Sequence, residues 1–262
     1  MSKTKRNLFL VVSLFLAVVM LSSIFAINGY SKPQTVEAAS LTQSQIEQRR
    51  ENPGLYQTGT TTLVSGSSWN ELISSGKITI SSGKLRVVDK TLAGDLVCGK
   101  VEGLTDLSSA FMNCSKLTAI DTFNLDTSNV TNLRRVFYGC SSLTSIDLSN
   151  FNTSNVTNMD SVFYGCSSLT TLDVSKFDTS NVTNMDSMFC NCSSLTRLNV
   201  RNFDTKNVTD MDGMFDGCSS LAWLDFRNFN TSKVTSMNFM FNGCSSLTSL
   251  LDLRNFNTSE VT

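Results

Sequence analysis

The sequence predicts an α/β solenoid of about six 26-residue coils, each a strand followed by a short helix, with a cap at the N-terminal end. Three observations predict it. A Phe followed three positions later by Cys recurs every 26 residues, as Phe111/Cys114, Phe137/Cys140, Phe163/Cys166, Phe189/Cys192, Phe215/Cys218 and Phe241/Cys244. The first half of each unit alternates apolar and polar residues, and the second half carries apolar residues at helical spacing. A period of roughly 20 to 50 residues held over many copies marks a stack in which each coil buries its side chains only against its neighbours.

Along the chain, the first segment has the three parts of a secretory signal. Lys3, Lys5 and Arg6 form a basic start, Leu8 to Ile27 is an apolar run, and Val36-Glu37-Ala38 offers a cleavage site after Ala38. Residues 1–38 are therefore expected to be a signal peptide. Retention of the apolar run as a membrane anchor is the competing reading, and the positive-inside rule sends the rest outward in both cases. Residues 39–66 are rich in Gln, Thr, Ser and Gly. Leu41 to Arg50 has weak helical character, but the whole stretch reads as a flexible polar linker. From Trp69 the pattern changes: Trp69 to Ile73 predicts a short helix, and Ile78, Ile80, Leu85, Val87 and Val88 predict two short strands. Residues 67–103 are assigned as the N-terminal cap that a solenoid needs.

Residues 104–262 are the repeat. In the unit from Leu143 to Cys166, Ile146 and Leu148 face one way while Ser145, Asp147 and Ser149 face the other, as in a half-buried strand. Thr157 and Asp160 are spaced as a capping box, repeated at Thr183/Asp186 and Thr209/Asp212, and Val156, Met159, Val162 and Phe163 form an apolar helical stripe. Gly139, Gly165, Gly217 and Gly243, with Asn191 in the same column, stand where the helix end requires a left-handed residue. In the last copy Leu250-Leu251 adds one residue, which predicts a bulge. The chain stops at Thr262 inside a unit, which suggests truncation at the C-terminus.

The L-x-x-L-x-L start of each unit resembles leucine-rich repeats. The longer string C-S-S-L-T-x-L-D-x-x-x-F-x-T-S-N-V-T-x-M-D-x-M-F resembles the 26-residue repeat of BspA-like bacterial surface proteins. That resemblance implies a leucine-rich-repeat-like right-handed superhelix on a bacterial cell surface, in some members linked to adhesion and host-matrix binding.

Composition removes several classes of function. The chain contains no histidine, which excludes His-based triads, His acid–base catalysis and His-ligated metal. Its formal charge is −1; loss of residues 1–38, with Lys3, Lys5, Arg6, Lys32 and Glu37, makes it −4, so nothing electrostatic favours nucleic acid. The eight cysteines could form disulfides in an exported protein. Equivalent positions in a stack, however, sit on parallel vectors roughly 5 Å apart, and bridging needs convergent ones. A buried thiol ladder is therefore expected, with Cys190, outside the main column, more exposed. Asn-Val-Thr at Asn129, Asn155, Asn181 and Asn207 matches a glycosylation acceptor but is read as a source of turn hydrogen bonds. The column Asp121, Asp147, Asp173, Asn199, Asp225 and Asp252 supplies one carboxylate per coil, short of the roughly six to eight oxygens calcium takes. No metal, cofactor or catalytic residue is assigned.

The surface feature that points to function is a gradient along the expected concave face. Two residues beyond each Asp the series reads Ser149, Ser175, Arg201, Arg227, Arg254; two before it, Ser145, Thr171, Arg197, Trp223. Arg and Trp carry interface energy, so Arg197, Arg201, Trp223, Arg227 and Arg254 are the candidate ligand-binding residues. The opposing reading pairs each Arg with a neighbouring Asp and assigns it no recognition role. The expected function is a secreted, non-enzymatic adhesion module on a bacterial surface that binds a host extracellular-matrix or neighbouring-cell protein, or a glycan. A structural spacer for a missing C-terminal domain is the alternative, and a surface hydrolase ranks last. The uncapped last coil is expected to self-associate.

Overall fold

The computed structural model describes residues 41–247 and 253–261. The expected signal peptide, the bulge at Leu250-Leu251 and Asp252 lie outside them. Among the described residues no helix is long and apolar enough to cross a membrane.

The segment expected to be a linker is folded. Thr42 opens helix α1 (Gln43–Glu51) with a reciprocal capping box to Gln45, and β1 (Gly54–Tyr56) pairs antiparallel with β2 (Leu63–Ser68). Helix α1 has no apolar stripe for a sequence reading to find. Its place is set by polar groups: Arg49 is buried, with an ion pair of 3.1 Å to Asp95, and it also donates to the carbonyls of Gln57 and Thr60. Ser68 and Glu71 cap a second helix, α2 (Trp69–Ser74), and β3 (Ile78–Ser81) pairs antiparallel with β4 (Lys84–Val87). These are the short helix and two strands expected from Trp69 onward.

The stack begins at β5 (Gly94–Val97). This strand pairs antiparallel with β1 on one side and parallel with β6 (Leu117–Asp121) on the other, and β6 pairs with β7 (Ser145–Asp147) at a 26-residue offset. The parallel pair β8 (Thr171–Leu172) and β9 (Arg197–Leu198) keeps that offset. A second parallel ladder runs Asp106, Asn132, Asn158, Asn184, Asp210, Ser236, again with 26 residues per step. The coils are therefore stacked in sequence register.

The second half of each coil is not a helix, which corrects the expected strand-plus-helix coil. The N–H groups of Met159, Ser161, Phe163 and Gly165 donate to the carbonyls of Asn184, Asp186, Met188 and Cys190 in the next coil, at 2.8 to 2.9 Å. Backbone donors spent between coils cannot close i→i−4 helical rings. Two residues per coil are also left-handed, four positions apart, such as Ser161 and Gly165 (φ 55° and 70°). Asn158 Oδ1 accepts from the Asp160 N–H, and the Thr157 N–H goes to Thr131, so no capping box closes. The expected left-handed column is real: Gly139, Gly165, Asn191, Gly217 and Gly243 all have positive φ. What it terminates is a ribbon of turns.

Inside the stack the Phe111–Phe241 column forms a ladder of near-parallel rings with centroids 5.3 to 5.9 Å apart. Offset stacking adds roughly 0.5–1.5 kcal/mol per pair to burial itself. Leu, Val and Met columns fill the remaining interior, so one apolar core runs from the cap through the coils.

Candidate ligand-binding face

The strand face is built by the positions that point away from the core in β5–β9 and their periodic equivalents. Its Asp column is occupied with local structure. Asp121, Asp147 and Asp173 each accept the backbone N–H two residues on, from Phe123, Ser149 and Ser175, and Asn199 and Asp225 do the same for Arg201 and Arg227. These are Asx turns that end each strand. Among the described residues no group of three or more His, Cys, Asp or Glu is placed to hold a metal ion.

At the N-terminal end, α1 lies over this face. Arg50 Nε is 2.9 Å from Asp121, its other nitrogen reaches Asp147 in the next coil, and its guanidinium stands 3.9 Å above the Phe123 ring. Asn124 Nδ2 donates to the Arg50 carbonyl at 3.0 Å, and the Thr58 and Thr118 hydroxyls meet at 2.7 Å. The sequence reading missed Arg49, Arg50 and Asp95. Their only signal was a pair of arginines before Pro53, between Glu47 and Glu51 in a polar stretch.

At the C-terminal end the five candidate residues separate. Arg201 and Arg227 both converge on Asp225: Arg227 is bidentate at 2.6 to 3.1 Å and Arg201 Nε lies at 3.2 Å. The Arg227 hydrogen bonds, ahead of the charge of Arg201, hold the Asp225 carboxyl down at about 2. The pairing alternative thus describes these two residues. Arg197 is exposed beside Thr171, with no ion pair among the described residues. Trp223 follows one period later, in register through the Ala222 N–H bond to Thr196, and 43% of it is exposed. Arg254 is exposed, and Asn255 beside it donates to the Arg227 carbonyl.

The cysteines are all free, and from Cys140 on each column member donates its S–H to the Phe carbonyl of the preceding coil, Cys140 to Phe111, Cys166 to Phe137, through Cys244 to Phe215, at 3.0 to 3.3 Å. Burial pushes these thiols up, to about 12 at Cys140 and Cys192. Cys190, expected to be exposed, is 4% accessible. It packs against Tyr164, and burial followed by the charge of Asp216 raises its thiol to about 11. None of these is a poised nucleophile. The Asn-Val-Thr asparagines act as inter-coil ties: Asn155, Asn181 and Asn207 donate to Ser128, Ser154 and Ser180 at 2.8 Å.

Parallel strands in 26-residue register and an inner apolar ladder define a leucine-rich-repeat-like solenoid. The chain belongs to the family described as Mycoplasma protein of unknown function, DUF285, whose model matches residues 105–220 and 196–262. No curated protein matches it. Among solved structures it is similar to the leucine-rich repeat protein of T. pallidum (20% identity, 68% of this chain and 90% of that one, TM-score 0.40). It is also similar to a leucine-rich cell surface protein of Faecalibacterium prausnitzii A2-165 (16% identity, 65% and 36%, TM-score 0.29). At these scores neither likeness carries further weight.

Proposed function

We propose that this chain is an exported, non-enzymatic binding module at a bacterial surface, engaging a host-matrix or neighbouring-cell protein through the C-terminal half of its strand face. The observation that carries the reading is the pair Arg197 and Trp223: adjacent in the stack, both exposed, and made of the residue types that anchor interfaces. Arg201 and Arg227, held on Asp225, present ordered guanidinium edges beside them. Arg254 extends the cationic side, so the ligand surface is acidic, whether protein or glycan. The basic-then-apolar leader supports an outside location, cleaved or retained as an anchor.

The test is adhesion of the full chain to arrays of matrix proteins and glycans. Arg197→Ala with Trp223→Ala should weaken binding to a captured ligand by about thirtyfold or more, the scale of truncating a hot spot, while the apolar core keeps the coils folded. Unchanged adhesion would favour the spacer reading, which the pairing of Arg201 and Arg227 with Asp225 supports. Self-association is proposed through the coil around Phe241, where the Phe239 ring is 73% exposed.

A further inference from the structure

The N-terminal half of the strand face is covered by the chain's own residues 41–52, and the way they are attached differs from β1, which follows them and buries Leu55 in the core beside β5, and from everything beneath them. The coils are held by buried Phe, Leu, Val and Met columns. Helix α1 buries Arg49, half-buries Gln45, Ile46 and Arg50, and turns its other side chains, all polar, to solvent. Its attachment to the coils is ionic and hydrogen-bonded: Arg49 to Asp95, Arg50 to Asp121 and Asp147, and Asn124 to the Arg50 carbonyl. The buried Arg49–Asp95 pair is screened little, but the partly exposed Arg50 contacts weaken as the screening length shrinks, from about 10 Å at 0.1 M salt to about 3 Å at 1 M. Apolar burial does not weaken in this way. Under screening, therefore, the cover loosens before the stack does.

What lies beneath it is specific. Two carboxylates from successive coils clasp one guanidinium, and the half-exposed Phe123 ring forms the floor. A planar fork over an aromatic face suits arginine and not lysine, whose ammonium is a single point that cannot span both acids.

We propose that residues 41–52 are a releasable strap, and that the Asp121–Asp147–Phe123 surface it covers accepts an arginine-bearing segment of a partner when the strap lifts. This rests on reading the strand face as the binding face, but it concerns the half opposite Arg197 and Trp223. The seated Arg50 is the chain's own stand-in for that ligand, and an acidic partner surface at the C-terminal half would leave this acidic half for a basic one.

Hydrogen exchange on the full chain tests the strap. Raising salt to about 1 M should speed exchange in α1 by about tenfold or more while β6 and β7 stay protected. Arg50→Glu should do the same at low salt, and Arg50→Lys should fall between. If α1 stays as protected as β6 and β7 in high salt and in Arg50→Glu, it is a fixed cap and the proposal fails. Should Arg50→Glu not fold, the salt series and Arg50→Lys decide the question.

The ligand class is tested with a labelled peptide of residues 41–52. It should bind Arg50→Glu protein saturably and at least about tenfold more tightly than wild type, the loss expected for charge-assisted hydrogen bonds. A peptide with Lys in place of Arg50 should lose most of that binding. Equal binding to both proteins, or to neither, overturns the inference. Neither measurement involves Trp223, so failure here leaves the adhesion test of the C-terminal half standing, and failure there leaves this one standing.

Discussion

The buried threonines of the repeat do a task that their polarity alone conceals. Thr153 Oγ1 accepts the Asp178 N–H and donates to the Asp178 carbonyl, and Thr127, Thr179, Thr205 and Thr231 repeat this one coil on. One hydroxyl thereby satisfies both backbone groups of a residue 25 or 26 positions away. Thr179→Val keeps the shape and leaves the Asp204 N–H and C=O unpaired, so it should cost about 1–3 kcal/mol in a denaturant titration. Thr157→Val, on the exposed side, should cost far less. Truncation of a stacked ring, Phe163→Ala, should cost about 3–5 kcal/mol, because flanking rings fixed by their own coils cannot collapse into the gap. An equal cost for Thr157→Val and Thr179→Val would show that the hydroxyl bridge contributes nothing. The Phe and Cys columns were legible because the same residue type recurs at the same phase. The hydroxyl bridge was not, since Thr looks equally suited to the surface until its partner in the next coil is placed.

At the scale of an element, the ribbon of turns shows why helical periodicity misled. Val156, Met159, Val162 and Phe163 do face one interior, as an amphipathic helix would require, but tight turns with two left-handed residues per coil bring the same positions inward. The choice between the two is made by where the N–H groups go, and they go to the adjacent coil. Left-handed φ is costly for bulky side chains, by roughly 1–2 kcal/mol. Ser109, Arg135, Ser161, Ser187, Gly213 and Phe239 share that column, and Phe239 is 73% exposed. Phe239→Gly should therefore stabilise the end coil by about 1 kcal/mol, read as slower exchange at Met240. Faster exchange there would mean that the ring makes contacts worth more than its strain.

For the whole molecule, pH separates two groups of carboxyls. Asp225 is held at about 2, so its stabilising contribution is present above its unfolded value near 3.8 and is lost as pH falls from there towards about 2. Asp186 and Asp210 behave oppositely. Burial, with nearby carboxylates adding to it, raises both, so the folded state prefers them protonated and loses that preference as pH rises through their raised values. Asp186→Asn should accordingly raise the melting temperature at pH 7 and leave it nearly unchanged at pH 3. The same gain at both pH values would rule out charge burial as the cause.

Stacking also makes stability local. Cys244 and Leu247 are only partly buried where Cys140, Cys166 and Leu143 are fully so, and each coil draws its stability from its neighbours. Exchange at Cys244 and Leu247 should outpace that around Phe163 by orders of magnitude, and uniform protection along the stack would contradict a nearest-neighbour solenoid.

The 26-residue period alone determined that equivalent side chains would lie over one another, because residues at one phase of a repeat can bury an apolar face only against their own copies. It thereby set the Phe ladder, the inert thiols and the left-handed Gly column. Tertiary structure alone decided that Arg201 and Arg227 would share Asp225, that Arg49 and Arg50 would fasten a segment without any apolar pattern, and that the second half of the coil would be turns. Each of these depends on which donor meets which acceptor across coils, and that pairing leaves no trace in composition or spacing along a single unit.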